Sequence, residues 1–187
     1  MYPVFRLIWQ FWLHRNAPSL PVTGTHVSHH LCLPWDLDLW MELNNGRTLT
    51  LYDMGRMPMA RRIGLIAALR RRKWGLTMAG AHVRYRRRVR IWDRIEMRTG
   101  CVGWDDRFAY IAQSMWVRGE CTSHILYRSA VTGKDGIVPP AAVMAEIGAE
   151  GPPPPLPDWV AAWIEADARR PWPPDDTVPQ GHVPPAP

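Results

Sequence analysis

The sequence predicts an α+β fold in which one strand and a long helical region precede a group of antiparallel strands. Apolar and polar residues alternate over residues 27–33, an apolar stripe at helical spacing runs through residues 45–72, and the alternation returns from Leu76 to residue 131. A period of two is typical of half-buried strands, and a period near 3.6 is typical of amphipathic helices. Strands that follow one another closely pair antiparallel, because a parallel pair needs a long crossover.

Local signals set the bounds of each predicted element. Asn44-Asn45-Gly46 opens the helical region. Pro58 has no backbone N–H, which predicts a break between one helix near 45–57 and another near 58–72. The later strands are predicted as a four-stranded meander divided by turn residues, with bounds 77–90, 94–103, 108–118 and 121–131.

The two ends of the chain differ from the middle in composition. Residues 4–13 are predicted to form a short helix that is apolar nearly all round. This helix either docks on the protein's own sheet or a partner subunit, or lies in a membrane interface as a peripheral anchor. Residues 151–187 hold 12 of the 19 prolines, which is typical of an extended appendage. We therefore divide the chain into an N-terminal segment (1–20), a folded domain (21–150) and a proline-rich tail (151–187).

Bulk composition narrows the class of protein. The chain has 187 residues, 47% of them hydrophobic, and 11 tryptophans, which argues against a disordered protein. The net charge of +6 suits a polyanionic partner such as coenzyme A, an anionic membrane or nucleic acid. No nucleic-acid-binding module accompanies this charge, so no nucleic-acid partner is expected. Three separated cysteines and scattered histidines predict no disulfide framework and no metal site, and a cytoplasmic or membrane-peripheral location.

The segment from Trp35 to Arg56 contains the residues that are the best candidates for catalysis. Asp36 and Asp38 end the first alternating run, and Asn44-Asn45-Gly46 follows shortly after. This spacing places a carboxylate near the start of a helix, where free N–H groups and the helix dipole favour negative charge. Thioester hydrolysis and other acyl chemistry use such an arrangement.

This pattern resembles the hot-dog fold acyl-CoA thioesterases, in the branch similar to 4-hydroxybenzoyl-CoA thioesterase. The resemblance covers about residues 27–148. Further segments that match in order are Tyr52-Asp53-Met54-Gly55-Arg56, Gly103-Trp104-Asp105 with Tyr110 and Gln113, and Gly133-Lys134-Asp135-Gly136 before Val138-Pro139-Pro140. It implies an antiparallel sheet wrapped around a long central helix, an acyl-CoA substrate, and pairing of subunits into a homodimer or homotetramer. No cofactor is implied beyond the coenzyme A of the substrate.

The resemblance also assigns residues of the site. The family's catalytic aspartate falls on Asp38, which would attack a fatty or aromatic acyl-CoA thioester or activate water to do so. Asn44, Asn45 and Gly46 would bind the substrate and its oxyanion, although helix capping explains at least one of the asparagines. Asp36 is interpreted as a solvated or capping residue.

Two further carboxylates are candidate acids. Glu42 stands where the family has a histidine. In one interpretation this replacement has no effect on activity. In the other, two neighbouring carboxylates raise the pKa of one of the pair, Glu42 or Asp38, and alter the activity. Asp53 is a candidate acid on the helix, and its simpler role is an ion pair with Arg56.

The run of arginines after residue 83 has two interpretations. Arg86, Arg87 and Arg88 would bind the phosphates of coenzyme A, because the guanidinium fork suits phosphate. Alternatively they protect a solvated sheet edge by charge. The leading prediction is an acyl-CoA thioesterase. The alternative is a hot-dog protein that binds acyl-CoA or acyl carrier protein without turnover, at a membrane.

Overall fold

One 18-residue helix packs on the inner face of an antiparallel sheet, as the α+β prediction requires. The computed structural model describes residues 2–149 and 151–173. The helices are α1 (Val4–Leu13), α2 (Asn45–Arg62), α3 (Leu65–Arg72), α4 (Pro140–Glu146) and α5 (Asp158–Ala168). The strands are β1 (His26–Leu31), β2 (Gly75–Tyr85), β3 (Arg94–Trp104), β4 (Ala109–Val117), β5 (Glu120–Gly133) and β6 (Gly136–Val138).

The sheet has the order β1-β3-β4-β5-β2, with β6 beside β5. The predicted four-stranded meander is therefore wrong at its first strand. β2 pairs with β5, from Gly75 opposite Thr132 to Tyr85 opposite Ser123, and does not pair with β3. The strand ends five residues earlier than predicted. The segment 86–93 then crosses to the other side of the sheet, where β3 pairs with β1.

Helix α2 runs without a break past Pro58, so the predicted division into two helices at this residue is wrong. The helix ends at Arg62, and Gly64, with a φ of 83°, begins the next one. A proline inside a helix removes one hydrogen bond. Pro58 and its neighbour Met59 are both buried, and this packing offsets the loss.

The core lies between α2 and the sheet. Buried helix residues Leu51 and Met54 belong to the same apolar cluster as Met97, Met115 and Ile125 of the strands. The buried Gln113 adds a polar link, because its Nε2 donates to the Tyr52 carbonyl oxygen and to Thr99 Oγ1, each at 2.9 Å. The middle of α2 is thereby tied to β3 and β4.

The chain divides into two units, one ending at Pro154 and one beginning at Pro155. The second unit contains α5. Of the predicted tail, residues 174–187 lie outside the described part. Among the helices that the structure describes, none combines the length and apolar character needed to cross a bilayer.

Candidate functional site

A cleft opens where α2 begins, and it gathers several of the predicted site residues. Its volume, including the open mouth, is about 600 Å³. We call it the arginine cleft; it is lined by Glu42, Leu43, Asn45, Thr48, Tyr85, Arg86, Arg87, Arg88, Val89 and Ser123. It thus joins the turn before α2, the first turn of α2 and the segment after β2, which are far apart in sequence.

Glu42 is the carboxylate that lines this cleft. Its Oε2 lies 2.9 Å from Nε of Arg88, and the two groups form an ion pair. The same oxygen is buried and has no partner with hydrogen-bond geometry among the described residues. The charge of Glu42 is therefore balanced, while its oxygen keeps its hydrogen-bonding capacity for another group.

Asp38 is half-buried in the turn that precedes Glu42, and it is not a lining residue of the arginine cleft. Its Oδ1 accepts the N–H of Trp40 at 2.9 Å and that of Glu42 at 3.4 Å. The Asp38 N–H in turn donates to the Glu42 carbonyl oxygen at 2.9 Å. Asp38 therefore fixes the turn that carries Glu42. Its catalytic role remains a prediction.

The three residues predicted at the helix start are divided between two places. Asn44 is the cap: its Oδ1 accepts the N–H of Gly46 at 2.9 Å and that of Arg47 at 3.2 Å. Asn44 and Gly46 line a neighbouring groove, and only Asn45 lines the arginine cleft. The cap leaves the first N–H of α2, that of Asn45, without an acceptor among the described residues.

Arg86, Arg87 and Arg88 lie beyond the strand that was predicted to contain them, because β2 ends at Tyr85. The N–H groups of Arg86 and Arg87 both donate to the Thr122 carbonyl oxygen, which turns the segment away from the sheet. The Arg87 side chain pairs with Glu120. Arg86 is exposed in the cleft and has no side-chain partner within the described residues.

Asp53 lies more than two helical turns beyond Asn45 and is not a lining residue of the arginine cleft. It forms the predicted ion pair with Arg56. Burial is the main cause that raises the pKa of Asp53, while Arg56 and a hydrogen bond from Tyr2 oppose this effect. The interpretation as a structural ion pair thus agrees with the geometry.

Asp36 was interpreted as either a solvated or a capping residue. The first interpretation is wrong, because only 2% of its side chain is exposed. Its Oδ2 accepts the N–H of Leu33 at 3.1 Å, which is a capping contact, and lies 2.6 Å from Nη1 of Arg6. Local sequence patterns do not reveal this partner, which is 30 residues away. Its role is to hold the structure beside the site.

Sequence reasoning missed an apolar cavity between α2 and the sheet. It encloses about 660 Å³, including its mouth, and its walls include Met59, Ile63, Ile111, Val131, Val143 and Met144. Arg56 is the one charged residue in its lining. Its guanidinium lies over the ring of Tyr127, 4.1 Å from the centroid, and its buried Nη1 lacks a hydrogen-bond partner among described residues. Thr48 and Arg56 are separated by about 12 Å along α2, so the cavity lies apart from the arginine cleft.

No cluster of three or more metal-ligating side chains occurs in residues 2–149 and 151–173. The three cysteines are free thiols. Burial raises the pKa of Cys32 and of Cys101 to about 11. The polar side chains that line the arginine cleft carry carboxylate, amide, guanidinium and hydroxyl groups.

Comparison with known proteins identifies the family. The model of the thioesterase-like superfamily matches residues 32–164. Protein THEM6 of Xenopus laevis is 35% identical over 102 residues, covering 52% of this chain and 49% of that protein. Protein THEM6 of Danio rerio is 33% identical over 98 residues, with coverages of 52% and 48%. The chain spans about half the length of these curated relatives.

Solved structures agree on the architecture. The probable thioesterase YbaW from Escherichia coli superposes with a TM-score of 0.62 at 12% identity, covering 66% of this chain and 96% of that one. The DHNA-CoA thioesterase from Staphylococcus aureus superposes with a TM-score of 0.59 at 11% identity, with coverages of 77% and 91%. Identities of this size show the fold alone. With the family model spanning most of its length, the chain belongs to the thioesterase-like superfamily, and its sheet and central helix form the hot-dog fold.

Proposed function

We propose that the protein hydrolyses the thioester of an acyl-coenzyme A in the arginine cleft. The observation that carries this proposal is the meeting of a carboxylate, a helix start and three arginines in one cleft. A thioester of coenzyme A presents an electrophilic carbonyl at one end and phosphates at the other, so each group has a complementary partner.

Glu42 is the reacting carboxylate in this proposal. Either the Glu42 carboxylate attacks the thioester carbonyl carbon, or it takes a proton from a water that attacks. In the water route, the carbon–sulfur bond breaks after water adds, and the proton that Glu42 took from the water passes to the leaving thiolate. In direct attack, the thiolate leaves and takes a proton from solvent water, and a second water then hydrolyses the mixed anhydride, which releases the acid and restores Glu42. The carbonyl oxygen, negative in the transition state, accepts the N–H of Asn45; one such donor is typically worth about 3 kcal/mol of the barrier. Asp38 positions Glu42 through the turn.

The rest of the cleft suits the remainder of the substrate. Arg86 would bind a phosphate of coenzyme A, and the neighbouring Arg87 and Arg88 add positive charge. Leu43, Tyr85 and Val89 supply an apolar wall for a fatty or aromatic acyl group.

The edge strand β2 supports a homodimer. Nearly all of its 11 residues are exposed, and in the described chain no strand pairs with its outer edge. A long, exposed edge is a template for pairing with another chain. Two copies joined through β2 would form one continuous sheet, and such dimers can pair again into a homotetramer.

The second candidate function is binding of acyl-CoA or acyl carrier protein without turnover. The observation in its favour is Asp38. This residue stands at the position of the family's catalytic aspartate, yet its carboxylate is engaged in its own turn and lies outside the cleft lining. In that case Glu42 would only balance the charge of Arg88.

A panel of acyl-CoA thioesters with detection of the released thiol tests the proposal. Glu42→Gln is expected to lower kcat by about 10² or more, because it removes the reacting carboxylate. Asp38→Asn should cost less, since it only loosens the turn. Glu120→Gln is the matched control, because Glu120 contacts Arg87 without lining the cleft.

Three outcomes decide between the assignments. Loss of activity in Asp38→Asn with Glu42→Gln unaffected would make Asp38 the reacting group, as the family resemblance implies. Full activity in both variants would mean that the active site does not lie in the arginine cleft. Tight binding of acyl-CoA with no thiol release from the unaltered protein would establish the second function.

A further inference from the structure

Helix α1 is oriented with its polar side chains towards the protein. Nη1 of Arg6 lies 2.6 Å from Asp36 Oδ2, and its Nη2 donates to the Leu31 carbonyl oxygen at 2.8 Å. One turn further, Gln10 is buried and its Nε2 donates to the carbonyl oxygen of His29 at 3.2 Å. Spacing of four places these side chains on one face, which lies against β1 and the turn that follows it.

The opposite face of α1 is apolar and open to solvent. The exposed fraction is 88% for Phe5, 54% for Trp9 and 49% for Trp12. The indole rings of Trp9 and Trp12 are stacked, with centroids 4.8 Å apart. The exposed set, which we call the outer face of α1, is Val4, Phe5, Ile8, Trp9, Trp12 and Leu13.

The inward contacts fix this orientation. Turning the helix to bury its aromatic rings would remove the Arg6 guanidinium from the buried carboxylate of Asp36. Only Arg47, whose Nε lies 3.8 Å from Oδ1, would then balance this buried charge, which is unfavourable. The outer face is therefore a stable surface of the protein in water. A contiguous apolar patch that stays exposed indicates an interaction site.

Cations at the end of α1 identify the chemistry of the partner. Arg15 lies over the ring of Trp12, with its guanidinium carbon 4.2 Å from the centroid. Arg61 donates to the carbonyl oxygen of Phe11 at 3.3 Å, and both arginines are exposed. Aromatic rings beside arginines match the boundary between acyl chains and phosphate headgroups.

We propose that the outer face of α1 docks the protein on the surface of a bilayer that contains anionic phospholipids. The ten residues extend about 15 Å, half the thickness of the hydrocarbon layer, so the helix lies along the surface. The aromatic rings enter the headgroup region, and Arg15 and Arg61 meet lipid phosphates. This docking is independent of the proposed hydrolysis, because no residue of the outer face lines the arginine cleft.

Co-sedimentation of the full chain with large unilamellar vesicles tests the proposal. Vesicles of phosphatidylcholine with phosphatidylserine should bind the protein better than phosphatidylcholine alone, and added salt should reduce this difference. The double variant Phe5→Ser/Trp9→Ser should lower the vesicle partition coefficient by about tenfold or more, because two aromatic rings leave the interface. Trp172→Ser is the matched control, since Trp172 is exposed and lies outside α1.

The other results overturn the proposal. Equal sedimentation of the double variant and the unaltered protein would exclude the outer face as the docking surface. Conversion of an oligomer to a monomer by the double variant, with no vesicle binding by either protein, would assign the face to a second copy of the chain. Circular dichroism confirms that the variant is folded. Thiol release from a soluble acyl-CoA, measured on the same samples, reports on hydrolysis separately from docking.

Discussion

Asp36 and Arg6 form a contact that joins the N-terminal helix to the start of the site. The two atoms, Oδ2 and Nη1, are 2.6 Å apart, and the carboxylate is almost completely buried. The backbone of Asp36 adds a second link, because its carbonyl oxygen accepts the N–H of Asn44, the cap of α2, at 2.9 Å. One residue thus connects α1 to the residue that caps the helix beside the arginine cleft.

Removing Arg6 should destabilise the protein strongly. In Arg6→Met the carboxylate of Asp36 keeps its burial and loses the nearer of its two counter-charges. Breaking a buried ion pair typically costs about 3–5 kcal/mol, and Arg47, which stays 3.8 Å from Oδ1, places the expected loss at the lower end. Urea unfolding measures this change in the free energy of unfolding. Arg15→Met, which alters an exposed arginine at the end of the same helix, should cost less than about 1 kcal/mol.

The double variant Arg6→Met/Asp36→Asn provides the cross-check. If the buried charge causes the loss, the double variant should be more stable than Arg6→Met, because it no longer buries a carboxylate whose nearer counter-charge has been removed. A double variant that is weaker than either single variant would mean that lost packing, and not charge, is responsible.

Two buried histidines should make stability depend on pH below neutrality. Burial, assisted by the nearby Arg6, lowers the pKa of His30 to about 3, and burial with His14 and Arg62 lowers the pKa of His26 to about 4. In the unfolded chain, both imidazole rings have a pKa near 6.5. The unfolded chain therefore binds more protons below pH 6.5, and stability, complete above that pH, falls as the pH decreases.

For each ring the expected slope rises from about 0.7 kcal/mol per pH unit at pH 6.5 to about 1.4 near pH 5, measured by denaturant unfolding. His30→Gln should remove one ring's share of the slope. His29→Gln is the control for a substitution on β1, because His29 precedes His30 and its ring is mostly exposed; the loss of slope should be larger in His30→Gln than in this control. An unchanged slope in His30→Gln would show that His30 is already protonated in the folded protein.

The sequence predicted what depends on local pattern and missed what depends on distant partners. Alternation located β3, β4 and β5 to within about three residues, and the asparagines marked the start of α2. Nothing in the pattern of β2 shows that it pairs with β5, because the order of strands depends on contacts across the whole sheet. Pro58 predicted a helix break from local backbone chemistry, but its burial in the core stabilises a continuous helix.

The candidate site shows the same limit. The resemblance placed Asp38 in the catalytic position and treated Glu42 as a departure. Both residues are half-buried, but only Glu42 lines the arginine cleft, while Oδ1 of Asp38 accepts N–H groups of its own turn. Sequence spacing cannot show which of two carboxylates in a tight turn faces a cleft.

Gly55 should resist replacement although it lies inside α2. A Cβ at this position would lie 2.5 Å from Met97 Sδ and 3.0 Å from Thr99 Oγ1. Overpacking of this kind typically costs about 1–3 kcal/mol, against a gain of about 1 kcal/mol in helix propensity. Gly55→Ala should therefore be neutral to destabilising, and Gly55→Ala/Met97→Ala should lose less than the sum of the single variants. Additive losses in thermal unfolding would mean that the helix and strand separate freely.

Charge on the outer edge of β2 should prevent the proposed dimer. Thr77→Lys/Ala81→Lys introduces two cations into an exposed strand, and like charges on neighbouring strands are unfavourable. Light scattering after size exclusion should show a monomer. Ala67→Lys, on an exposed position of α3, is the control and should leave the mass unchanged. A dimer that persists in the double variant would exclude pairing through β2.

Arg86 should contribute to recognition of the nucleotide end of the substrate. Its side chain is exposed in the arginine cleft, so Arg86→Ala removes a phosphate partner without leaving another protein charge unpaired. Hydrogen bonds to charged groups are worth about 1.5–3 kcal/mol, so KM for an acyl-CoA should rise about tenfold or more with kcat nearly unchanged. An acyl-pantetheine thioester, which lacks the nucleotide phosphates, should show no such rise.

Arg84→Ala is the control for this prediction. It removes an exposed arginine outside the cleft lining and should affect neither substrate. Equal rises for both thioesters would mean that Arg86 acts on the acyl end or on the shape of the cleft, and the phosphate assignment would then be wrong.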